Sequence, residues 1–237
     1  MIQFYAPDIE STGVLPAEES AHCVRVLRKR EGEEIRVTDG RGGCYLCEIT
    51  DANVRGTRIK IKEKKIEERS RKYKMILGVA PTKNAERMEW LSEKGVELGV
   101  DKIVLLRCAR SERKAIRTDR LRKIMISAMN QSLGTRLPEL EEVTDFTRFL
   151  EEDYGNAQKF FGYCSDSYPR KELAKECEAG RDTVVMVGPE GDFTLEEVEA
   201  AVDAGFAPVT FGDSRLRTET AGLFAICCVS TINQRLK

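Results

Sequence analysis

The chain has 237 residues, 41% of them hydrophobic and 33% charged, with a formal net charge of −1. That is the composition of an ordinary soluble globular protein with enough apolar mass for a core, in one large domain or in a small and a medium one. It excludes a disordered chain, and its near-neutral total says nothing about partners until the distribution of charge is read.

At the N-terminus, Met1-Ile-Gln-Phe-Tyr-Ala-Pro7 lacks the basic start and apolar run of a signal peptide, so a cytoplasmic protein is expected. Pro16-Ala-Glu-Glu-Ser-Ala-His-Cys-Val-Arg-Val-Leu27 reads as a short helix with proline near its first turn. Three strands are predicted next, at 35–39, 44–50 and 57–63. The turn Asp39-Gly-Arg-Gly-Gly43 separates the first two. Arg58, Lys60 and Lys62 alternate with Ile59 and Ile61, giving one basic and one apolar face. A charged connector over 64–73 marks the expected domain boundary.

Cys44 and Cys47 form a C-x-x-C pair among eight scattered cysteines. A zinc site needs two further ligands, the only histidine is His22, and positions 44 and 47 of a strand face opposite ways. Reduced thiols and no metal are expected.

From residue 74 the pattern alternates. Strands are predicted at 75–80, 103–106, 159–164, 183–187 and 209–211, with helices near 84–98, 118–133, 170–179, 194–204 and 218–235. Such alternation predicts an α/β domain with a mostly parallel sheet. Helix 84–98 places Met88, Leu91, Gly95 and Leu98 on one face, with Gly95 marking close packing. Helix 118–133 carries Leu121, Ile124, Ala128 and Gln131 along a stripe.

Ligands of open α/β sheets bind beyond the carboxyl ends of the strands, and three such loops stand out. The first is Pro81-Thr-Lys-Asn84. The second is Gly188-Pro-Glu-Gly-Asp-Phe193, followed by the capping box Thr194-Leu-Glu-Glu197. It is neither a G-x-x-x-x-G-K-S/T phosphate loop nor a G-x-G-x-x-G dinucleotide turn, and on spacing alone it is equally a tight strand-to-helix connection. The third, Phe211-Gly-Asp-Ser-Arg-Leu-Arg-Thr218, opens the helix that runs through Ala221-Gly-Leu-Phe-Ala-Ile-Cys-Cys-Val229. A helix apolar nearly all round is buried on most sides, against its own domain or a second subunit. At nine residues the apolar run is far too short to span a bilayer. The helix start offers free N–H groups to a ligand, and Gly212 permits close backbone approach.

Charge is segregated. Arg107, Arg110, Arg113, Lys114, Arg117, Arg120, Arg122, Lys123 and Arg136 are opposed only by Glu112 and Asp119, and an acid-rich stretch follows over 137–182. The block is either a solvated helix face or a surface for an anionic partner, with nucleic acid first among them.

Gly188-Pro-Glu-Gly-Asp-Phe-Thr194 together with Phe211-Gly-Asp-Ser-Arg-Leu-Arg-Thr-Glu-Thr-Ala221 resembles the ribosomal RNA small subunit methyltransferase E family. So do Glu93-Lys-Gly-Val-Glu-Leu-Gly-Val100, Gln131-Ser132 with Pro138, and His22-Cys-Val-Arg-Val-Leu-Arg28 followed by Asp39-Gly40. The resemblance implies a SPOUT-class methyltransferase domain over 74–237, whose C-terminal segment forms a trefoil knot. It implies a PUA-like RNA-binding β-barrel over 1–70, a homodimer, and use of S-adenosylmethionine to methylate N3 of a uridine in small-subunit (16S) ribosomal RNA, naked or in the assembled 30S subunit. Carried over by position, the cofactor cradle is Gly188, Pro189, Glu190 and Gly191 with Phe211, Gly212, Leu216, Arg217 and Thr218, bordered by Thr82. Arg217 and Glu219 lie nearest the reacting base, Arg217 as the cation beside the uridine anion and Glu219 as a candidate general base. Arg25, Arg28, Arg58, Lys60, Arg110, Arg113, Lys114, Arg117 and Gln131 are the expected RNA contacts. Ribose 2′-O or guanine N1 methylation, or a non-catalytic assembly factor, are the rival readings. Two departures stand out. Many members read Leu-Gly-x-Arg-(Ile/Val)-Leu-Arg before Thr-Glu-Thr, so Arg215 is displaced by one position. Asp192 stands where many members have a second glycine.

Overall fold

Alternation of apolar and polar residues builds the first sheet. In the computed structural model, which describes residues 2–69, 71–112, 116–165 and 168–234, the chain divides into two compact units. The first comprises Met1–Ser70 with Ile126–Leu137, the second Arg71–Met125 with Pro138–Lys237.

The first unit carries a four-stranded sheet in chain order: β1 (Gln3–Tyr5), β2 (Glu34–Thr38), β3 (Gly43–Asp51) and β4 (Arg58–Ile66). β1 runs parallel to β2, and the other pairs are antiparallel. Phe4, Ile35, Val37, Tyr45, Cys47 and Ile49 form its core. The predicted faces of β4 hold: Ile59 is buried, while Arg58, Lys60 and Lys62 are exposed. The strand runs on through Ile66, so the first three residues of the predicted connector are strand. Turn 39–43 is tied by Asp39 Oδ1, which accepts from Arg41 N at 2.7 Å and Gly43 N at 2.9 Å. Between β1 and β2 lie α1 (Ile9–Thr12), α2 (Ala17–Ala21) and a π-helical turn, His22–Val26, that continues α2 in place of regular helix. Cys47 is buried and Cys44 half-buried, on opposite faces of β3. Among the described residues no group of three metal-ligating side chains is assembled.

Glu19 of α2 is half-buried and accepts from Tyr5 N at 3.2 Å, with the Asn130 amide at 3.4 and 3.5 Å from its two oxygens. Desolvation raises its carboxyl from the ordinary 4.5 to about 7. The neutral form is the stable one. Its contribution is complete below pH 4.5 and is lost as pH rises through about 7. Glu19→Gln, which keeps the acceptor for Tyr5, is therefore expected to stabilise the fold by about 2 kcal/mol above pH 7 and by almost nothing at pH 4. Melting curves at both pH values check this, and an equal effect at both would refute it.

The second unit is built on a seven-stranded, wholly parallel sheet. In chain order its elements are β5 (Met75–Val79), α3 (Ala85–Leu98), β6 (Lys102–Arg107), α4 (Thr118–Gln131, whose last turns belong to the first unit), β7 (Glu139–Asp145) and α5 (Phe146–Glu151). They continue with β8 (Gln158–Gly162), β9 (Lys171–Glu172), α6 (Leu173–Glu176), β10 (Thr183–Val187), α7 (Leu195–Asp203), β11 (Ala207–Thr210) and α8 (Thr218–Gln234). Strand order is β7-β6-β5-β10-β8-β11-β9. The predicted parallel α/β architecture is therefore present. The helix predicted at 170–179 is only the single turn α6, because Lys171–Glu172 pair with β11 instead. The predicted stripe of α4 is also corrected. Leu121, Met125, Ala128 and Met129 are buried, whereas Ile124 is half-buried and Gln131 exposed.

α3 and α8 pack together on the sheet, and glycines set their approach. A Cβ on Gly95 would stand 3.2 Å from Ile226, and one on Gly222 would stand 3.2 Å from Leu91 and 3.3 Å from Leu77. α5 and α7 pack with Phe146, Phe149, Val198 and Ala201 against Val104, Leu106, Val184 and Met186 of the sheet. No described helix is long and apolar enough to cross a membrane.

Candidate cofactor cleft

The strand order places β10, β8 and β11 side by side, so the loops leaving their carboxyl ends converge. They enclose a cleft of about 1320 Å³ within the second unit. Gly188, Pro189, Glu190 and Asp192 line it from one loop, and Phe211 through Thr218 from another.

Specific bonds hold these loops to one another. Thr218 Oγ1, buried at the start of α8, donates to Gly188 O at 3.0 Å. Arg215 Nη2 donates to Glu190 O at 3.3 Å. From the loop after β5, Lys83 N donates to Glu190 Oε1 at 3.1 Å. Glu190 thus joins three loops, its carboxylate to one and its carbonyl to another. The capping box predicted at the start of α7 is present: Thr194 N donates to Glu197 Oε2 at 2.9 Å and Glu197 N to Thr194 Oγ1 at 3.2 Å. Phe211 lies over Gly162, where a Cβ would collide with its ring. Gly212 has φ +115°, which favours glycine, and no atom lies within 4 Å of where its Cβ would stand. That open space beside the main chain suits a ligand held by backbone groups.

Several predicted residues fall elsewhere. Gly191 is absent from the cleft lining, and the Arg110 side chain covers it. Thr82 is fully buried, donates to Asn84 O at 2.8 Å and supports the start of α3 without lining the cleft. Glu219 is 7% exposed and turned toward α3, with Arg87 Nε 3.6 Å from its Oε1. It does not line the cleft. Arg217 does line it, exposed, its guanidinium with no hydrogen-bond or ion-pair partner among the described residues.

Sequence reasoning missed one wall of the cleft: Gly162 at the end of β8 and Tyr163 and Cys164 after it, with Arg170, Lys171 and Lys175. The residues that lead into it were read as strand and helix interior. The available signal was the short apolar run 159–164 itself, whose carboxyl end is a ligand position once β8 neighbours β10.

The basic block is partly spent inside the protein. Arg107 pairs with Asp145 at 2.6 Å, Arg120 chelates both oxygens of Glu89, and Arg110 and Arg136 donate to backbone carbonyls. Arg117 and Gln131 are exposed, and Arg113 and Lys114 lie outside the described residues. In the first unit, Arg25, Arg28, Arg58 and Lys60 are all exposed. Arg28, at φ +55°, lines a shallow groove with Lys29 and Arg30.

The family model described as an RNA methyltransferase domain matches residues 68–230, and an RNA methyltransferase PUA domain matches residues 15–62. The chain belongs to the ribosomal RNA small subunit methyltransferase E family of RNA methyltransferases. Its relatives include the ribosomal RNA small subunit methyltransferase E of Bacillus subtilis, 27% identical over 98% of this chain and 93% of that one. Among solved structures, a probable rRNA-methyltransferase of Porphyromonas gingivalis is 38% identical over the whole of both chains, with a TM-score of 0.94. The Neisseria gonorrhoeae member of the family, solved bound to S-adenosyl methionine, is 28% identical over 98% of each chain, with a TM-score of 0.86.

Both departures from the family pattern have a structural account. Asp192 adopts φ +61°, the left-handed conformation that a glycine takes freely and that aspartate tolerates better than most residues. Its carboxylate also accepts from Cys164 N at 3.1 Å, a bond glycine cannot make. Arg215 fastens the third loop to the second through Glu190 O.

Proposed function

We propose that this chain methylates N3 of a uridine in small-subunit ribosomal RNA, using S-adenosylmethionine and acting as a homodimer with a knotted C-terminal segment. The observation that carries the cofactor reading is the Thr218–Gly188 bond. It closes two glycine-bearing loops over a cleft at the carboxyl ends of adjacent parallel strands, and a family relative over 98% of the chain was solved with S-adenosyl methionine. Gly188, Pro189, Glu190, Phe211, Gly212, Leu216 and Thr218 would hold the cofactor, largely through main-chain groups. The cofactor supplies an electrophilic methyl group on a sulfonium.

Uridine N3 carries a proton and is a poor nucleophile until it passes that proton to water. Arg217, exposed beside the start of α8, stabilises the uridine anion electrostatically. Loop residues align the base for in-line transfer. Arg25, Arg28, Arg58 and Lys60 of the first unit, with Arg117 and Gln131, contact the RNA.

Nucleoside mass spectrometry of small-subunit RNA from cells with and without the protein tests the reading. Loss of 3-methyluridine alone is expected. Loss of a 2′-O-methyl nucleoside or of 1-methylguanosine would replace it with another activity, and an unchanged nucleoside profile would favour a non-catalytic assembly role.

A further inference from the structure

Arg110 stands in the basic block, where its charge predicts a phosphate contact. Its geometry points elsewhere. Nη1 donates to Gly191 O at 2.8 Å and to Phe193 O at 3.3 Å. Its stem lies over Gly191, where a Cβ would stand 3.3 Å from Arg110 Cβ and 3.4 Å from Cδ. The preceding residue is fixed to the start of α7, which follows that loop, Ala109 N donating to Glu197 Oε1 at 2.7 Å, while the other oxygen of Glu197 serves the capping box. Ser111 is buried, and its Oγ accepts from Cys108 N at 3.0 Å. The segment 108–111 is thus pinned against the turn that carries Gly188, Pro189, Glu190 and Asp192.

Neither Arg110 nor Gly191 lines the cleft, while Gly188, Pro189, Glu190 and Asp192 do. The arginine therefore meets the loop on backbone that does not face the cleft. Within the turn, the backbone–backbone bond is Asp192 N to Pro189 O at 2.9 Å. A glycine-bearing loop with one internal backbone bond depends on bonds from outside it to stay ordered around a ligand. A guanidinium that fixes two of its carbonyls in advance removes part of the cost of ordering it.

We propose that Arg110 is a positioning residue that braces the cofactor loop, and not a phosphate ligand. The inference rests on the reading of the cleft as the S-adenosylmethionine site.

Calorimetry of S-adenosylmethionine binding to the full chain, without RNA, tests it. R110A is expected to raise Kd roughly three- to tenfold, the loss of one or two net hydrogen bonds. R110K offers a single point donor in place of the fork and should fall between R110A and wild type. Binding of a fluorescein-labelled oligouridine, titrated across salt concentrations, should keep its affinity within about twofold and its salt slope unchanged in both variants. Wild-type cofactor affinity in R110A, with a salt slope reduced by about one, would make Arg110 a phosphate ligand and overturn the inference alone. A wild-type chain that binds no S-adenosylmethionine would overturn the cofactor reading and this inference with it. Arg110 is exposed, so both variants are expected to fold, and R110K preserves the charge if R110A does not.

Discussion

Arg217→Ala is expected to lower kcat by roughly two orders of magnitude while leaving the S-adenosylmethionine Kd within about threefold. The split follows from where the residue sits. Its carbonyl accepts from Ala221 N at 2.8 Å, so its main chain is part of the first turn of α8 and stays in place when the side chain is cut. The guanidinium lines the cleft without a partner among the described residues, and removing it strands no buried group. On the proposed mechanism, what is lost is a cation beside a base that becomes an anion as it reacts, an interaction stronger in the transition state than in the ground state. Arg217→Lys should recover part of the rate. Two residues on, Glu219 gives the opposite expectation. Its carboxylate is enclosed and faces Arg87, so Glu219→Gln should leave kcat within about threefold while costing about 1 kcal/mol of stability. Single-turnover kinetics and cofactor titrations on the variants decide the matter. Unchanged turnover in Arg217→Ala removes the proposed role, and collapse of turnover in Glu219→Gln without loss of stability restores Glu219 as the base.

The contrast between Arg217 and Glu219 also shows where a sequence stops being legible. The run from Ala221 to Val229 announces a buried helix because it is apolar on nearly every side. For the same reason it gives no phase, so nothing in the sequence said that position 219 turns inward toward α3. Strand-to-helix alternation carried the parallel sheet, and Thr194 with Glu197 carried the start of α7. β7 was missed because an edge strand with the sequence Glu-Leu-Glu-Glu-Val-Thr-Asp buries only Leu140 and Thr144, too few to mark it as strand. The β8 wall of the cleft was missed because β8 and β10 are neighbours only after the chain has run through β9 and α6, an adjacency no local pattern encodes. The partners of the basic block were hidden for a related reason. Its charges are local in sequence, but Glu89 and Asp145, which neutralise Arg120 and Arg107, come from other elements.

Phe224→Asp is expected to convert the proposed homodimer to a monomer and to abolish most methyl transfer. On α8 the exposed positions Thr220, Phe224, Cys227 and Thr231 recur at helical spacing and form one stripe along a helix otherwise buried or half-buried up to its last turn. Phe224 is 39% exposed, and Trp90 on the neighbouring α3 is 42% exposed. Large aromatics left partly open on two packed helices are the anchors that subunit interfaces use. An aspartate in place of the phenylalanine removes an apolar anchor and places a charge where a second copy would desolvate it, weakening association by roughly two orders of magnitude or more. The monomer itself should lose little stability, because the site is open to solvent. Activity should fall with assembly because Phe224 also packs on Phe211, ring centroids 5.6 Å apart, and Phe211 lines the cleft. A subunit laid against Phe224 is one ring away from the cofactor loop. Light scattering and methyl-transfer assays on the same preparation test both halves. A variant that stays dimeric at micromolar concentration moves the interface off this stripe. A monomer with full activity severs the link from α8 to the cleft.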